Sequence, residues 1–255
     1  MLTALDHIAI DVADPRAAAA GLEAVLGRKP QPVAPDNGTR HALRLQLGNV
    51  AVTLNPAGDA AAAGAGVGLA FATQDIGAAA HRLTRRGLAG RLVSDKAYVV
   101  EPSATHGVPI AVVSARAIPA GNSAGDIAGL DHVVVRTPDP ERAVALYGGR
   151  LGLDLRLDRS NEKFGSRLLF FVCGDLVVEI SHDLKQGIGS GSDRLWGMAW
   201  RANDVEAAHR RMKASGVTVS ELREGRRPGT HVFSVKDHTC GVPTLVIGGA
   251  GLVRT

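Results

Sequence analysis

The chain has 255 residues, a hydrophobic share of 45% with only 4% aromatics, and a formal net charge of +4. That length and apolar content supply the cores of two ordinary domains and exclude an intrinsically disordered chain. No basic region precedes the first apolar run and no window approaches about eighteen uninterrupted apolar residues, so we expect a cytoplasmic protein without a membrane partner.

Residues 5–12 (LDHIAIDV) read as a strand. After Asp14 and Pro15 an Ala-rich helix is expected over 16–26, stopping at Gly27, which can take the left-handed conformation past a helix end. Residues 48–54 (GNVAVTL) form the next strand, and 57–66 (AGDAAAAGAG) a connection between two halves. A strand over 69–74 then leads to Asp75, placed as the N-cap of a helix over 77–86, and 107–113 (GVPIAVV) closes the series. Residues 115–129, rich in Gly, Ala, Ser and Pro, read as a linker.

The same order then begins again. LDHVVVRTPDP from Leu130 repeats LDHIAIDVADP from Leu5, an offset of 125 residues (130 − 5). A helix over 141–151 ends at Gly152, 174–180 (GDLVVEI) matches 48–54, Asp204 caps a helix over 206–215, and 241–247 (GVPTLVI) matches 107–113. The densest basic stretches, 81–91 and 223–227, lack interleaved aromatics and have acidic residues in or near them, so they read as solvated surface. A small anionic molecule suits the positive charge, and no nucleic acid partner is expected. Cys173 and Cys240 are too few and too far apart for a disulfide framework.

The duplicated order of elements, with LDH opening the first strand and DP opening the helix, resembles the vicinal-oxygen-chelate superfamily, the glyoxalase, bleomycin-resistance and dioxygenase-like proteins. The stretch 101–108 (EPSATHGV) is similar to its methylmalonyl-CoA epimerase-like members. The resemblance implies an α+β fold of tandem modules, each of paired βαβββ units forming a cupped mixed or antiparallel sheet. Module one would span 1–115, a linker 116–128 and module two 129–255. It also implies a divalent metal (iron, manganese, zinc, nickel or cobalt) that chelates vicinal oxygens of a substrate and acts as a Lewis acid. The ligand positions it assigns fall on His7, Thr53, Gly68 and Ala111 in module one and on His132, Glu179, Gly197 and Leu245 in module two. Only His132 and Glu179 pair as donors, where catalytic sites use at least three protein ligands, so a metal-free site is an equal alternative. His182 and His231 are the candidates for a further donor.

Glu179 is the sharpest clue, because a carboxylate inside the apolar run LVVEI is costly to bury unless paired. Facing the cup it would serve as a general base beside a carbonyl; facing outward it is a solvated strand residue, and alternation alone does not fix the face. Arg167 and Trp196 are expected on or near strands lining the cup, as a carboxylate clamp and an apolar wall, and His231 joins them as a substrate-binding candidate. Two functions follow. One is a lyase, isomerase or dioxygenase acting in module two on a small oxygenated, anionic molecule, with module one degenerate. The other is a metal-free protein that sequesters a small molecule. A homodimer is the commonest oligomer of such folds.

Overall fold

Each Asp-Pro step starts a helix, since proline supplies the φ of a first helical turn and the aspartate caps the free N–H groups. In the computed structural model, which describes residues 1–33, 42–57, 66–117 and 124–250, Asp14 Oδ1 accepts from the N–H groups of Arg16 and Ala17. Asp139 Oδ1 likewise accepts from Arg142. Asp75 and Asp204 do the same for Ala78 and Ala207, each at 2.8 Å, as expected from the sequence.

The first half of the chain supplies β1 (Leu2–Val12), α1 (Pro15–Leu26), β2 (Gln31–Pro32), β3 (Leu43–Gln46), β4 (Ala51–Pro56), β5 (Val67–Thr73), α2 (Ile76–Arg85), β6 (Gly90–Ser94), β7 (Ala97–Val100) and β8 (Ile110–Ser114). The second supplies β9 (Ile127–Arg136), α3 (Pro140–Ala143), β10 (Asp154–Asn161), β11 (Ser166–Cys173), β12 (Leu176–Asp183), β13 (Arg194–Ala202), α4 (Val205–Ala214), β14 (Arg223–Glu224), β15 (His231–Val235) and β16 (Thr244–Gly248). They form two eight-stranded mixed sheets of the same order, β2-β3-β4-β1-β5-β8-β7-β6 and β10-β11-β12-β9-β13-β16-β15-β14. The expected fold class, paired βαβββ units in tandem, is therefore present. β9 begins at Ile127, inside the stretch read as linker, and the 57–66 connection falls largely outside the described residues.

The helix expected over 141–151 takes another form. α3 stops at Ala143 and the chain continues as a π-helix, Val144–Arg150, in which Leu151 N–H reaches back to Leu146 carbonyl. Gly148 and Gly149 lie in this turn; glycine is the poorest α-helix former after proline. Gly27 and Gly152 both take left-handed φ, 64° and 78°, as expected of helix-terminating glycines.

By contacts the described residues group into two compact units. One comprises Met1–Asp6, Gly68–Arg116 and His132–Trp196; the other comprises His7–Val67, Ala117–Asp131 and Gly197–Thr255. In the first, Val133, Val135, Leu146, Tyr147, Leu169, Phe171, Val178 and Ile180 make a buried layer, with the Tyr147 and Phe171 ring centroids 5.8 Å apart. In the second, Trp200, Met212, Phe233 and Val246 pack beneath α4, where His209 meets Phe233 edge-on.

One buried polar knot ties the first unit. The Asp193 side chain is 0% exposed and its Oδ1 accepts from Thr137 Oγ1 at 2.7 Å and Arg142 Nη2 at 2.6 Å. Asp193 N–H donates to the His106 carbonyl at 2.7 Å, and Arg142 Nη2 also donates to the Gly191 carbonyl. His106 stands in left-handed backbone (φ 58°) beside this knot, and partial burial followed by the Arg142 charge holds its imidazole below the ordinary value of 6.5, with Asp193 and Asp139 opposing. An imidazole that binds its proton less readily folded than unfolded contributes stability above about pH 6.5 and loses it as pH falls toward the lowered folded value. His106→Asn keeps a side chain tolerant of positive φ and removes the titration. Between pH 7.5 and 5.5 the wild-type melting temperature should fall further than that of His106→Asn; parallel curves would show that His106 does not contribute.

Candidate functional site

Alternation along β12 separates two faces. Leu176, Val178, Ile180 and His182 are buried, whereas Val177, Glu179 and Ser181 are half-exposed. The buried face lies under the helical segment, because Val178 pairs with Phe171, which meets Tyr147 of the π-helix. Glu179 therefore points to the opposite, helix-free face. The registers fill in its surroundings: Glu179 lies between Phe170 of β11 and Val134 of β9, and His132 pairs with Val177 one step back. The Glu179 carboxylate and His132 imidazole face each other with Oε2 to Nε2 at 3.8 Å, the side chains 18% and 21% exposed.

The same face continues toward the ends of the strands as Ser181, Arg136, its register partner on β9, and Ser166 of β11. There it opens into a cavity of about 500 Å³, reached by Phe164, Lys185, Arg194 and His182. His132 and Glu179 do not line the cavity, but Ser181 is two positions from Glu179, about 7 Å along a strand. His182 Nδ1 is 3.1 Å from the Thr137 carbonyl, which only accepts, so this nitrogen carries the proton. Arg136 lies over the Trp196 ring, 4.3 Å from its centroid, and Trp196 is 37% exposed.

The remaining sequence candidates lie elsewhere. Arg167 has the parity of Leu169 and Phe171, so it belongs to the helix-covered face, and not to that of Glu179. Its guanidinium is taken up by Asp158, at 2.8 and 2.7 Å, and by Glu141, at 2.7 Å. These bonds hold Asp158 below the ordinary carboxylate value and Arg167 above its own. His231 belongs to the second compact unit, exposed on β15, where it pairs with Gly248 and Glu224. The cavity cations were missed in the sequence because Arg136 lies about fifty residues before Lys185 and Arg194, which stand at the two ends of one connection, and none lies in a basic run.

The donor set does not fit a chelated metal. A divalent ion needs N and O ligands at about 2.0–2.2 Å, and catalytic sites bring three from the protein. Among the described residues no three His, Cys, Asp or Glu side chains converge. The other implied positions of module two carry glycine and leucine, and a Cβ at Gly197 would stand 3.1 Å from the Pro243 carbonyl oxygen, so a larger donor there would force a shift. Gly68 is similarly closed, 3.0 Å from the Pro109 oxygen. No described helix is long and apolar enough to cross a membrane. Cys173 is buried and free, its thiol pushed up to about 12 by burial.

Residues 129–243 match the family model of the Glyoxalase/Bleomycin resistance protein/Dioxygenase superfamily. No curated protein matches the chain. Among solved structures, a mutant of 4-hydroxymandelate synthase from Streptomyces coelicolor aligns at TM-score 0.75 and 16% identity, covering 100% of this chain and 94% of that one. BphC, a halotolerant catechol dioxygenase, aligns at TM-score 0.71 and 13% identity, covering 98% and 87%. The Mn(II)-bound glyoxalase from Novosphingobium aromaticivorans aligns at 0.69 and 17%, covering 97% and 82%. At such identities the likeness shows a shared fold.

Proposed function

We propose that this chain, whose residues 129–243 belong to the Glyoxalase/Bleomycin resistance protein/Dioxygenase superfamily, binds a small oxygenated molecule on the helix-free face of β9, β11 and β12 and moves a proton with Glu179. The observation that carries this reading is the Glu179 carboxylate, 18% exposed and 3.8 Å from His132 Nε2. Phe170 and Val134 flank it on the neighbouring strands, and a carboxylate within reach of a bound carbonyl compound can serve as a general base.

The step is an abstraction beside a carbonyl. The C–H bond breaks, its proton passes to a Glu179 oxygen, and the electron pair moves onto the carbonyl oxygen as an enolate. An N–H of His132 directed at that oxygen stabilises the developing charge. Return of the proton to carbon completes an isomerisation. Arg136, at the end of β9, and Trp196, near the start of β13 and beneath the Arg136 guanidinium, bound the site on one side. The step needs only the Glu179 carboxylate and the His132 N–H.

A second reading, sequestration without chemistry, is favoured by the glycine and leucine at Gly197 and Leu245. The two separate in one experiment: proton NMR in D₂O with a panel of small ketones, keto acids and thioesters. Protein-dependent loss of the signal from the carbon next to the carbonyl is expected. Line broadening of ligand signals without exchange would replace the first reading by the second, and neither effect would remove both.

A further inference from the structure

The cavity at the end of the Glu179 face carries a charge imbalance that the fold does not require. Arg136, Lys185 and Arg194 all line it, all are exposed, and none forms an ion pair with a carboxylate among the described residues. Surface cations ordinarily scatter, and where one is structurally used in this unit it is matched: Arg142 by Asp193 and Arg167 by Asp158 and Glu141. The one carboxylate on the cavity wall, Asp183, is turned to backbone, its Oδ1 accepting from Lys185 N–H at 2.9 Å. The buried His182, 3% exposed, gives Nδ1 to Thr137 and so keeps Nε2 as the ring nitrogen for a ligand.

The wall is also built. Residues 184–193 between β12 and β13 are fixed by Gly189 N–H to the Pro138 carbonyl at 3.0 Å, by Arg142 to Gly191 and by the Asp193 knot. Apolar surface stands at the mouth, with Phe164 56% exposed on the lining and Trp196 37% exposed beneath Arg136. Cations converging on a pocket with an aromatic lip match a ligand that has an anionic head and an apolar body.

We infer that this cavity is the anion-holding subsite of the chain, taking the phosphate or carboxylate of a small organic molecule between Arg136, Lys185 and Arg194. The inference rests on the proposed small-molecule role of the adjoining face. A head group held at Ser181 and Arg136 places the next few atoms of its ligand about 7 Å away, over Glu179. The subsite thereby narrows the substrate class to organic anions whose reacting carbon lies a few bonds from the charged group.

The test is a titration of the full chain with phenyl phosphate, benzoate, inorganic phosphate and benzyl alcohol, followed by calorimetry and by the fluorescence of exposed Trp196. Trp200, fully buried, provides a constant background. Saturable one-site binding of phenyl phosphate or benzoate is expected, at least about tenfold tighter than benzyl alcohol and weakened by salt. Tighter binding of phenyl phosphate assigns a phosphate head, tighter binding of benzoate a carboxylate, and inorganic phosphate alone shows how much the head contributes. Arg136→Gln with Arg194→Gln, both at exposed positions, should weaken the anions at least about tenfold without altering the melting temperature. Anions binding no better than benzyl alcohol, or unchanged affinity in the double variant, overturns the subsite. Glu179→Gln should leave anion affinity unchanged while proton exchange is lost, so retained exchange with binding intact counts against the base and not against the cavity.

Discussion

Glu179→Gln should lower protein-dependent proton exchange by about 100- to 10,000-fold, the usual contribution of a positioned general base. The amide keeps the volume and the strand register of the carboxylate but accepts no proton. Ligand affinity should change little, so the loss falls on the rate and not on the concentration dependence. His132→Ala should cost less, because its part is to stabilise charge and not to hold the proton. A loss of under about threefold in Glu179→Gln would show that another group is the base.

Asp193→Ala should destabilise the chain by about 3 kcal/mol, the lower end for breaking a buried ion pair. The carboxylate is fully covered, while its partner Arg142 is 19% exposed and recovers some hydration when left alone. Thr137 Oγ1 loses an acceptor as well, and Arg142 Nε and Asp193 Oδ2 are themselves buried in the knot. Urea denaturation checks the value, with Thr137→Val expected near about 1 kcal/mol as a control. Because Asp193 anchors the cavity wall, its loss should also weaken anion binding. A cost under about 1 kcal/mol would mean that Arg142 and Thr137 find substitute partners.

The repeat and the helix starts were legible in the sequence because they rest on local chemistry. An aspartate before a helix satisfies N–H groups whatever the tertiary fold, and two copies of LDH and DP in register announce the duplication. The face of Glu179 was not legible, since Val177 and Val178 are both apolar and the run satisfies either orientation. Only packing of Phe171 against Tyr147 decides it. Arg167 shows the same limit in reverse: its strand is plain from the sequence, but its parity puts it with Phe171, where Asp158 and Glu141 claim it. The cavity depends on three distant segments meeting, which no local pattern announces.

In the mechanism proposed above, the His132 and Glu179 site works without a resident metal. The most direct test is elemental analysis of tag-free protein, before and after incubation with iron, manganese, zinc, nickel or cobalt, alongside His132→Ala and Glu179→Ala. We expect well below one metal per chain in all three proteins, with no difference between them. One equivalent of metal in the wild type, lost in both variants, would replace the metal-free site with a chelate at His132 and Glu179.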